Sequence, residues 1–517
     1  LLPPVKDQAV DDGVYIDVEG GRGVVTGTNP RSVLLAAYRL LRENGCAFLR
    51  PGQDGERVPQ KSIGDISAHV CEAAASRHRG VCIEGAVSYQ HVLNMIEFLP
   101  KVGMNAYYTQ FFVPRLFFAR WYEHIGNPQA EPRTLTREEA AGLQAALIRE
   151  IKKRGLMYHA VGHGWTCEPF GVPGDSWLPL ENVPESYEAF TAEVNGKRGL
   201  WHGVGVNTNL CYGNPEVRKR VTDAIADYCA AHPEVDYLHF WLADSTNNHC
   251  ECPLCRDTLP SDLYVKMLNE LDEKMTARGI PTRVVFLIYV DLLWEPQKEK
   301  IRNQDRFVLM FAPITRSYSA TMADAADFHG ELEPYRRNGN KMTHSVAENV
   351  ERLRKWQTNF RGDSFDFDYH FMWDHFRDLG YYQMARLLME DMKGLSKVGL
   401  NGMISCQCQR VFFPTGLGMH AMAAGLWDKN ADFDALAAWY FENAFGADAD
   451  AVHGYLRQVS ECIDPVYLRG EKEAVDPAVA DGYRALEALV DAFEPVIRQK
   501  IDAGADANWR ALLPHAG

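Results

Sequence analysis

Three cysteines follow a carboxylate in the stretch ADSTNNHCECPLC, residues 243–255. Cys250, Cys252 and Cys255 have C-x-C-x-x-C spacing, and three thiolates suit a structural zinc ion. The sequence leaves the fourth ligand open among His249, Cys211 and Cys229. A thioredoxin-like redox role is disfavoured because no helix N-terminus in a βαβ context follows the motif. Buried thiols without a metal remain the alternative.

Asp244 ends the apolar run YLHFWLAD. Burial at such a strand end raises a carboxyl pKa, so Asp244 could stay protonated and donate to a leaving-group oxygen. It could equally cap the following turn by accepting backbone N–H groups. Both interpretations stay open.

A second carboxylate cluster lies in FDFDYHF, residues 365–371. Strand alternation puts Asp366, Asp368 and His370 on one face. Such inward polar positions are costly unless they pair with each other or with a ligand. We therefore expect Asp368 to be the nucleophile or charge-stabilising carboxylate opposite Asp244. Asp366 is expected to be structural and paired with a basic side chain.

Glu84 is the third candidate catalytic residue. It ends the segment VCIEG, and the adjacent Gly85 would let a substrate approach closely. Glu84 could bind a hydroxyl or amine or act as the general acid; the alternative is a salt bridge inside the fold. Aromatic rings stack on sugar faces, and polar groups bind hydroxyls. The remaining candidate substrate contacts are His163, Trp165, Asn209, Tyr289, Trp294, Arg316, Tyr369, Trp373, Asp374, Gln407 and Gln409.

Eight β-rich segments that alternate with amphipathic helices must position these residues. Their ranges are 81–85, 105–111, 156–162, 237–244, 283–290, 307–313, 365–373 and 402–409. Eight βα steps predict a (β/α)8 TIM barrel, with long inserts after strands two, three and four and the active site at the C-terminal strand ends. An open doubly wound sheet is disfavoured because no glycine-rich phosphate loop follows the first strand.

The barrel is predicted to be one of three domains. Residues 1–75 contain the strand-like runs GVYIDVEG and GVVTG and a helix that opens at Pro30, which indicates a small N-terminal α+β domain. Residues 76–427 form the catalytic barrel. Residues 428–517 are helical in pattern and predict a C-terminal helical bundle.

The composition of the chain disfavours some classes of binding partner. The net charge of −15 argues against nucleic acid or an anionic membrane surface as the main partner and favours a neutral or locally complemented substrate. The sequence has no run of eighteen apolar residues, so no membrane-spanning helix is predicted. Twelve scattered cysteines favour reduced thiols, as in a cytoplasm. The chain begins LLPPVKDQ without Met, so a signal peptide cannot be judged, and nothing indicates the oligomeric state.

Several stretches resemble known families. GVVTGTNPRSVLLAAYRLLRENGCAFLRPG resembles the domain that precedes the barrel in family 20 hexosaminidases and family 67 α-glucuronidases. A second resemblance is to a bacterial domain family long labelled as of unknown function, part of which is glycoside hydrolase family 163. It rests on the stretches RGVCIEG, NLCYGNPEVR, WLADSTNNHCECPLC, FDYHFMWD and QRVFFPTGLGMHAMAAGLWDKNADFD. The resemblance covers nearly the whole chain. It implies retaining endo-β-N-acetylglucosaminidase activity on the chitobiose core of complex N-glycans.

The chain departs from one motif of these relatives. Family 20 enzymes use an adjacent Asp-Glu pair after strand four, with the substrate 2-acetamido group as internal nucleophile, whereas Ser245 follows Asp244 here. The acid would then come from Glu84 or Glu251, and Asp244 would orient the acetamido group. We expect a glycoside hydrolase that needs no catalytic cofactor. The alternatives are an exo-acting glycosidase on another sugar such as a glucuronide, a non-catalytic carbohydrate-binding barrel, and a metal-dependent hydrolase.

Overall fold

The computed structural model describes residues 2–124, 127–325, 328–409 and 411–516. Its N-terminal part is a three-stranded antiparallel sheet in the order β2-β1-β5, packed against helix α1 (Pro30–Glu43), with a separate two-stranded ribbon of β3 and β4. The strands are β1 (Gly13–Glu19), β2 (Arg22–Gly27), β3 (Ala47–Phe48), β4 (Glu56–Arg57) and β5 (Ala68–Ala73). Gly20 and Gly21, both at positive φ, turn β1 into β2 as a tight hairpin. The Asn29 side chain caps α1.

Eight parallel strands close into a barrel in chain order, with the last strand pairing back onto the first. They are β6 (His78–Cys82), β7 (Ala106–Gln110), β8 (Met157–Gly162), β9 (Tyr237–Phe240), β10 (Arg283–Ile288), β11 (Phe307–Phe311), β12 (Asp363–Asp366) and β13 (Gly402–Ser405). Most residues of these strands are buried on both faces because helices or loops cover the outside. The predicted (β/α)8 barrel and all eight of its strands are confirmed.

Seven of the eight strands end earlier than predicted, by one to seven residues. β12 ends at Asp366, so Asp368 and His370 lie beyond the ladder rather than on it. β6 ends at Cys82, and Glu84 lies in the single helical turn Ile83–Gly85. A Cβ at Gly85 would lie 3.0 Å from both the Gln407 Cβ and the Cys408 carbonyl. That glycine therefore permits close packing of the first barrel loop on the last one, and not the approach of a substrate.

Helices follow seven of the eight barrel strands. They are α2 (Tyr89–Lys101), α3 (Arg115–Tyr122), α4 (Arg137–Lys153), α5 (Glu185–Glu188), α6 (Pro215–Ala231), α7 (Pro260–Ala277), α8 (Val346–Asn359), α9 (Tyr382–Gly394) and α10 (Leu417–Trp427). Thr136 and Glu139 form the predicted capping box of α4. The prediction of a helix in every step is wrong for the fifth: residues 289–306, all described, contain only the short 3₁₀ turn Val290–Leu293.

Long inserts follow strands two, three and four as predicted, and residues 312–345 form a further one after β11 that the pattern did not predict. The C-terminal part is helical and comprises α11 (Phe433–Phe445), α12 (Ala449–Cys462), α13 (Pro465–Leu468), α14 (Pro477–Asp502) and α15 (Ala507–Ala516). The domain limits after residues 75 and 427 stay a proposal. In the described part of the chain, no helix has both the length and the apolar character of a membrane span.

Candidate active site

A cavity of about 350 Å³ lies at the C-terminal ends of the barrel strands. This is the face on which barrel enzymes carry their active sites. Every one of the eight strand ends or the loops after them contributes to its lining. The lining residues are Glu84, Gln110, Arg120, His163, Trp177, Trp241, Asp244, Leu287, Tyr289, Met310, Ile314, Phe367, Tyr369, Met372, Trp373 and Cys406.

Asp244 lies at the rim of the cavity, with its side chain 24% exposed. Trp177 Nε1–H donates to Oδ2 at 2.8 Å, and the Tyr289 hydroxyl donates to Oδ1 at 3.1 Å. His163 Nε2 lies 3.7 Å from Oδ2. In the described chain, both carboxylate oxygens are thus held by side chains of other loops and not by backbone N–H groups of the following turn. Asp244 is fixed in direction while one side remains open to the cavity.

Glu84 is the buried carboxyl group of the site. Burial raises its pKa to about 7; the charge of Asp244 acts in the same direction, and the hydrogen bond from Cys406 opposes it. The Cys406 thiol donates to Oε2. Arg120 donates to the Glu84 carbonyl at 2.5 Å, which holds the backbone of this turn. We expected the buried, protonated acid at Asp244, but the more deeply buried carboxyl group is Glu84.

Aromatic rings form the walls of the cavity. Trp177 and Trp241 pack edge-on against His163, with ring centroids 5.6 and 4.7 Å away. Burial lowers the pKa of His163, so its ring is neutral at pH 7. Tyr369 is buried in the wall, whereas Trp373 is 45% exposed at the mouth. The arrangement offers both enclosed and open surfaces for stacking on sugar rings.

Asp368 does not line the cavity. It is fully buried and accepts from Arg316 Nε at 3.0 Å, from the Tyr369 backbone N–H at 2.7 Å and from the Tyr318 hydroxyl. Burial would raise its pKa, but the Arg316 guanidinium and these donors hold it well below the ordinary value. This placement does not fit the expectation that Asp368 is a nucleophile facing Asp244.

Arg316 is the centre of that buried network, and it does not contact the cavity either. Its Nη2 lies 2.9 Å from Asp368, 2.6 Å from Asp391 and 3.2 Å from His370 Nε2. Asp368, His370 and Asp391 converge as a metal site would require. The guanidinium already supplies the positive charge between them, so the group does not fit a catalytic metal.

Other predicted contacts lie away from the cavity and have structural partners. Trp165 donates to the His239 carbonyl at 2.9 Å in the core, and Trp294 donates to the Glu333 carbonyl at 2.7 Å. Asn209 bonds to Asn248 behind the Asp244 turn. Asp374 pairs with Arg469 at 3.0 Å, while Gln407 is buried against Met419 and Ser405. These placements do not fit the expected substrate contacts.

Gln409 is near the site without lining the cavity. With its amide oxygen turned toward Arg120, it accepts from Nη1 at 2.5 Å and from Nε at 3.2 Å. It therefore orients Arg120, which itself lines the cavity. Of the predicted substrate contacts, His163, Tyr289, Tyr369 and Trp373 do line the cavity, together with the predicted catalytic residues Glu84 and Asp244.

Trp177 is the main cavity residue that the sequence did not single out. It lies in the long insert after β8, 15 residues beyond Gly162, the last residue of that strand. No local periodicity or motif marks it, because its contact with Asp244 joins two loops 67 residues apart in sequence. The tryptophan-rich composition of the insert, with Trp165, Trp177 and Trp201, was the available signal.

The cysteines of the opening motif lie behind the Asp244 turn. They converge on Cys211 in the insert after β8: the Sγ atoms of Cys211, Cys250, Cys252 and Cys255 all lie within 4.8 Å of one another. All four are buried. Of the three expected fourth ligands, the structure thus brings only Cys211 into the group. Within the described residues, this cluster is the stronger candidate for holding a metal.

Residues 172–457 match the protein family described as Domain of unknown function (DUF4838). That range is more than half of the 517 residues. The chain belongs to the DUF4838 family. The match agrees with the resemblance to a family of unknown function, while membership of glycoside hydrolase family 163 stays a proposal. No curated protein matches this DUF4838 chain in sequence.

Several solved structures share the fold. A GH138 enzyme targeting pectin rhamnogalacturonan II aligns with a TM-score of 0.54 at 10% identity, over 100% of this chain and 63% of that one. CpGH89 from Clostridium perfringens, in complex with its substrate GlcNAc-alpha-1,4-galactose, gives 0.54 at 11% identity, over 98% and 56%. CpGH84B gives 0.50 at 11% identity, over 99% and 75%. The DUF4838 chain thus spans less than two thirds of the first two relatives and shares their fold.

Proposed function

We propose that the protein is a glycoside hydrolase whose catalytic carboxyl groups are Glu84 and Asp244. The observation that carries this proposal is the pair itself: two carboxyl groups in unlike environments line one aromatic cavity at the barrel mouth. Cleavage of a glycosidic bond requires one carboxyl group that stays protonated and a second that can accept a hydrogen bond. The solved structures with this fold that carry glycoside hydrolase names support the same activity.

Glu84 is the proposed general acid. With a pKa of about 7 it keeps its proton at mildly acidic pH and can donate to the glycosidic oxygen as the bond breaks. Asp244 is the proposed partner that receives hydrogen bonds from the sugar. Because Trp177 and Tyr289 fix its direction, Asp244 is held ready to accept from a substrate N–H without reorganising.

For the substrate we propose a β-N-acetylglucosaminide, cleaved in endo fashion as the resemblance to family 163 implies. Leu287, Met310 and Ile314 give the cavity an apolar part that suits the methyl of an acetamido group. Asp244 would orient the acetamido N–H so that the acetamido oxygen attacks the anomeric carbon. The acid then comes from Glu84, since Ser245 stands where family 20 enzymes have glutamate.

The test is hydrolysis of complex N-glycans and of a panel of aryl glycosides by wild type, Glu84→Gln and Asp244→Asn. We expect Glu84→Gln to lose roughly 10²–10⁴-fold in kcat on a glycan, and less on a nitrophenyl glycoside, whose leaving group needs little protonation. Asp244→Asn should lose activity on both. Hydrolysis of a glucuronide but not of acetamido sugars would refute the substrate assignment.

Glu251→Gln is the matched control. Glu251 was the other candidate acid, but it accepts from Asn195 N–H and Asn338 at 2.7 Å each and does not line the cavity. The Glu251→Gln variant should therefore retain activity. If Glu84→Gln and Asp244→Asn both keep near-wild-type turnover on a substrate that the wild type cleaves, the proposed catalytic pair is wrong. Glycan binding without hydrolysis would instead indicate a carbohydrate-binding barrel.

A further inference from the structure

The four convergent thiols lie where two long loops of the barrel meet. Cys211 belongs to the insert after β8, two residues before Gly213 and four before Pro215, where α6 begins. Cys250, Cys252 and Cys255 belong to the loop after β9. The cluster therefore brings together residues some 40 positions apart in sequence, which no local motif requires.

The distances between the sulfurs match a tetrahedral metal site. Cys211 Sγ lies 3.5 Å from Cys252 Sγ and 3.7 Å from Cys255 Sγ. Four sulfurs at about 2.3 Å from a zinc ion lie about 3.8 Å from one another. The segment from Cys252 to Cys255 forms a tight turn, since the N–H groups of Cys255 and Arg256 donate to the Cys252 carbonyl at 2.9 and 3.0 Å.

Backbone N–H groups point at the sulfurs. Glu193 N–H donates to Cys250 Sγ at 3.3 Å, and Gly213 N–H donates to Cys255 Sγ at 3.2 Å. A neutral thiol is a weak acceptor, whereas a metal-bound thiolate takes such bonds readily. A Cβ at position 213 would lie 2.7 Å from Cys255 Sγ, so glycine permits this approach.

Two arginines lie around the cluster. Arg198 Nη1 is 4.0 Å from Cys250 Sγ. Arg337 donates to the carbonyl oxygens of Cys250 and Cys255, at 3.0 Å each. One zinc ion with four thiolates has a net charge of −2, which nearby cations offset in part. Arg198 shares its charge with Glu193, 3.6 Å away. Four buried neutral thiols would not require cations around them.

We propose that Cys211, Cys250, Cys252 and Cys255 bind one structural zinc ion that clamps the insert after β8 to the loop after β9. Four protein ligands close the site, so the ion has no open position for catalysis. Binding releases the thiol protons to solvent. The expected alternatives are not ligands: His249 lies beside Asp291, with Nε2 3.8 Å from its carboxylate, and Cys229 is outside the group.

The zinc site would also position the catalytic aspartate, an effect that rests on the proposed function. Trp177 and Asp244, which hydrogen-bond to each other, lie on the two loops that the cysteines join. The same loops are tied by Asp244 N–H to the Val206 carbonyl at 2.9 Å and by Glu251 N–H to the Glu193 carbonyl at 2.8 Å. Loss of zinc should therefore loosen the Trp177–Asp244 contact.

The test is the metal content of the intact 517-residue chain, expressed in zinc-supplemented medium and measured by elemental mass spectrometry. We expect about one zinc per chain in wild type and in Cys229→Ser, and a loss of about 90% or more in Cys211→Ser and Cys252→Ser. Cys229→Ser is the matched control because it is another buried cysteine, on α6, outside the cluster. Zinc retained by Cys211→Ser and Cys252→Ser would refute the ligand set.

A second measurement covers the case in which the ligand variants fail to fold. Folded wild type is treated with a chelator, and released zinc, thiols and thermal midpoint are followed together. We expect zinc release to lower the midpoint and to expose four additional reactive thiols. A zinc-free, folded wild type would refute the proposal, as would a disulfide within the cluster, or bound iron seen by its visible absorption. Metal content is independent of turnover, so failure of the proposed glycosidase would leave this result interpretable.

Discussion

Glu84 should carry its proton at mildly acidic pH only in the folded protein, and replacement by glutamine tests this. Burial raises its pKa from the ordinary value of 4.5 to about 7, against the opposing hydrogen bond from Cys406. At about 1.4 kcal/mol per pKa unit, the difference between the two values corresponds to about 3 kcal/mol. That is the free energy by which the folded state disfavours the ionised carboxylate.

The sign of the pH dependence follows from proton binding. Between pH 4.5 and about 7 the folded chain holds a proton at Glu84 that the unfolded chain has lost, so stability falls as pH rises through this window. Below pH 4.5 both states are protonated. Glu84→Gln is neutral throughout. The variant should therefore match wild type near pH 4.5 and exceed it by up to about 3 kcal/mol at pH 8.

The assay is urea unfolding of wild type and Glu84→Gln at pH 5 and pH 8, combined with the pH profile of wild-type kcat/KM. The profile should fall above pH 7 as the acid loses its proton. Cys406→Ala removes a donor to the carboxylate and should move this limb to higher pH, whereas Cys406→Ser keeps a donor. A stability difference that does not change with pH would mean that Glu84 is already ionised at pH 5, and the acid role would fail.

Two further substitutions separate structural from substrate-contacting residues. Asp368→Asn should cost about 3–5 kcal/mol of stability because Arg316 stays buried with one carboxylate partner fewer. Asp434→Asn, in the exposed ion pair with Arg386, should cost at most about 1 kcal/mol. Equal losses of stability in urea unfolding would contradict the buried network. Trp373→Ala should raise KM roughly two- to tenfold with kcat nearly unchanged, through lost stacking of about 0.5–1.5 kcal/mol. Trp121→Ala, an exposed tryptophan outside the cavity, should leave KM unchanged in the same assay.

The sequence predicted the barrel because the information is local. Apolar runs of four to eight residues and helix caps recur in each βα step, and each can be recognised without knowing the others. The fifth step differs from this pattern because the connection after β10 contains a short 3₁₀ turn in place of a helix. There Asp262 of α7 accepts from the N–H groups of Lys298 and Glu299, at 2.7 and 2.8 Å, and satisfies the backbone.

The site was predicted less well because strand ends decide what faces the cavity. Alternation was extended through residues 365–373, whereas β12 stops at Asp366. Beyond that point Phe367 and Tyr369 line the cavity, whereas Asp368 accepts from Arg316 away from the cavity. Glu84 is a candidate from the sequence, but its carboxyl group accepts a hydrogen bond from Cys406 at the opposite end of the barrel sequence. No window of sequence around Glu84 contains that contact.

Asp244 shows why the motif and the cavity must be considered together. In the sequence, the cysteines and the carboxylate are neighbours in one loop, which leaves open whether the cysteines hold Asp244 in position. In the structure, Trp177 on the insert after β8 fixes the carboxylate, and Cys211 on the same insert meets the three cysteines of the loop. An irregular insert of some 50 residues has little regular secondary structure to hold the Trp177 indole at hydrogen-bond distance from Asp244. A closed metal site at its far end would restrict that loop, and this links the proposed zinc ion to the geometry of the proposed catalytic aspartate.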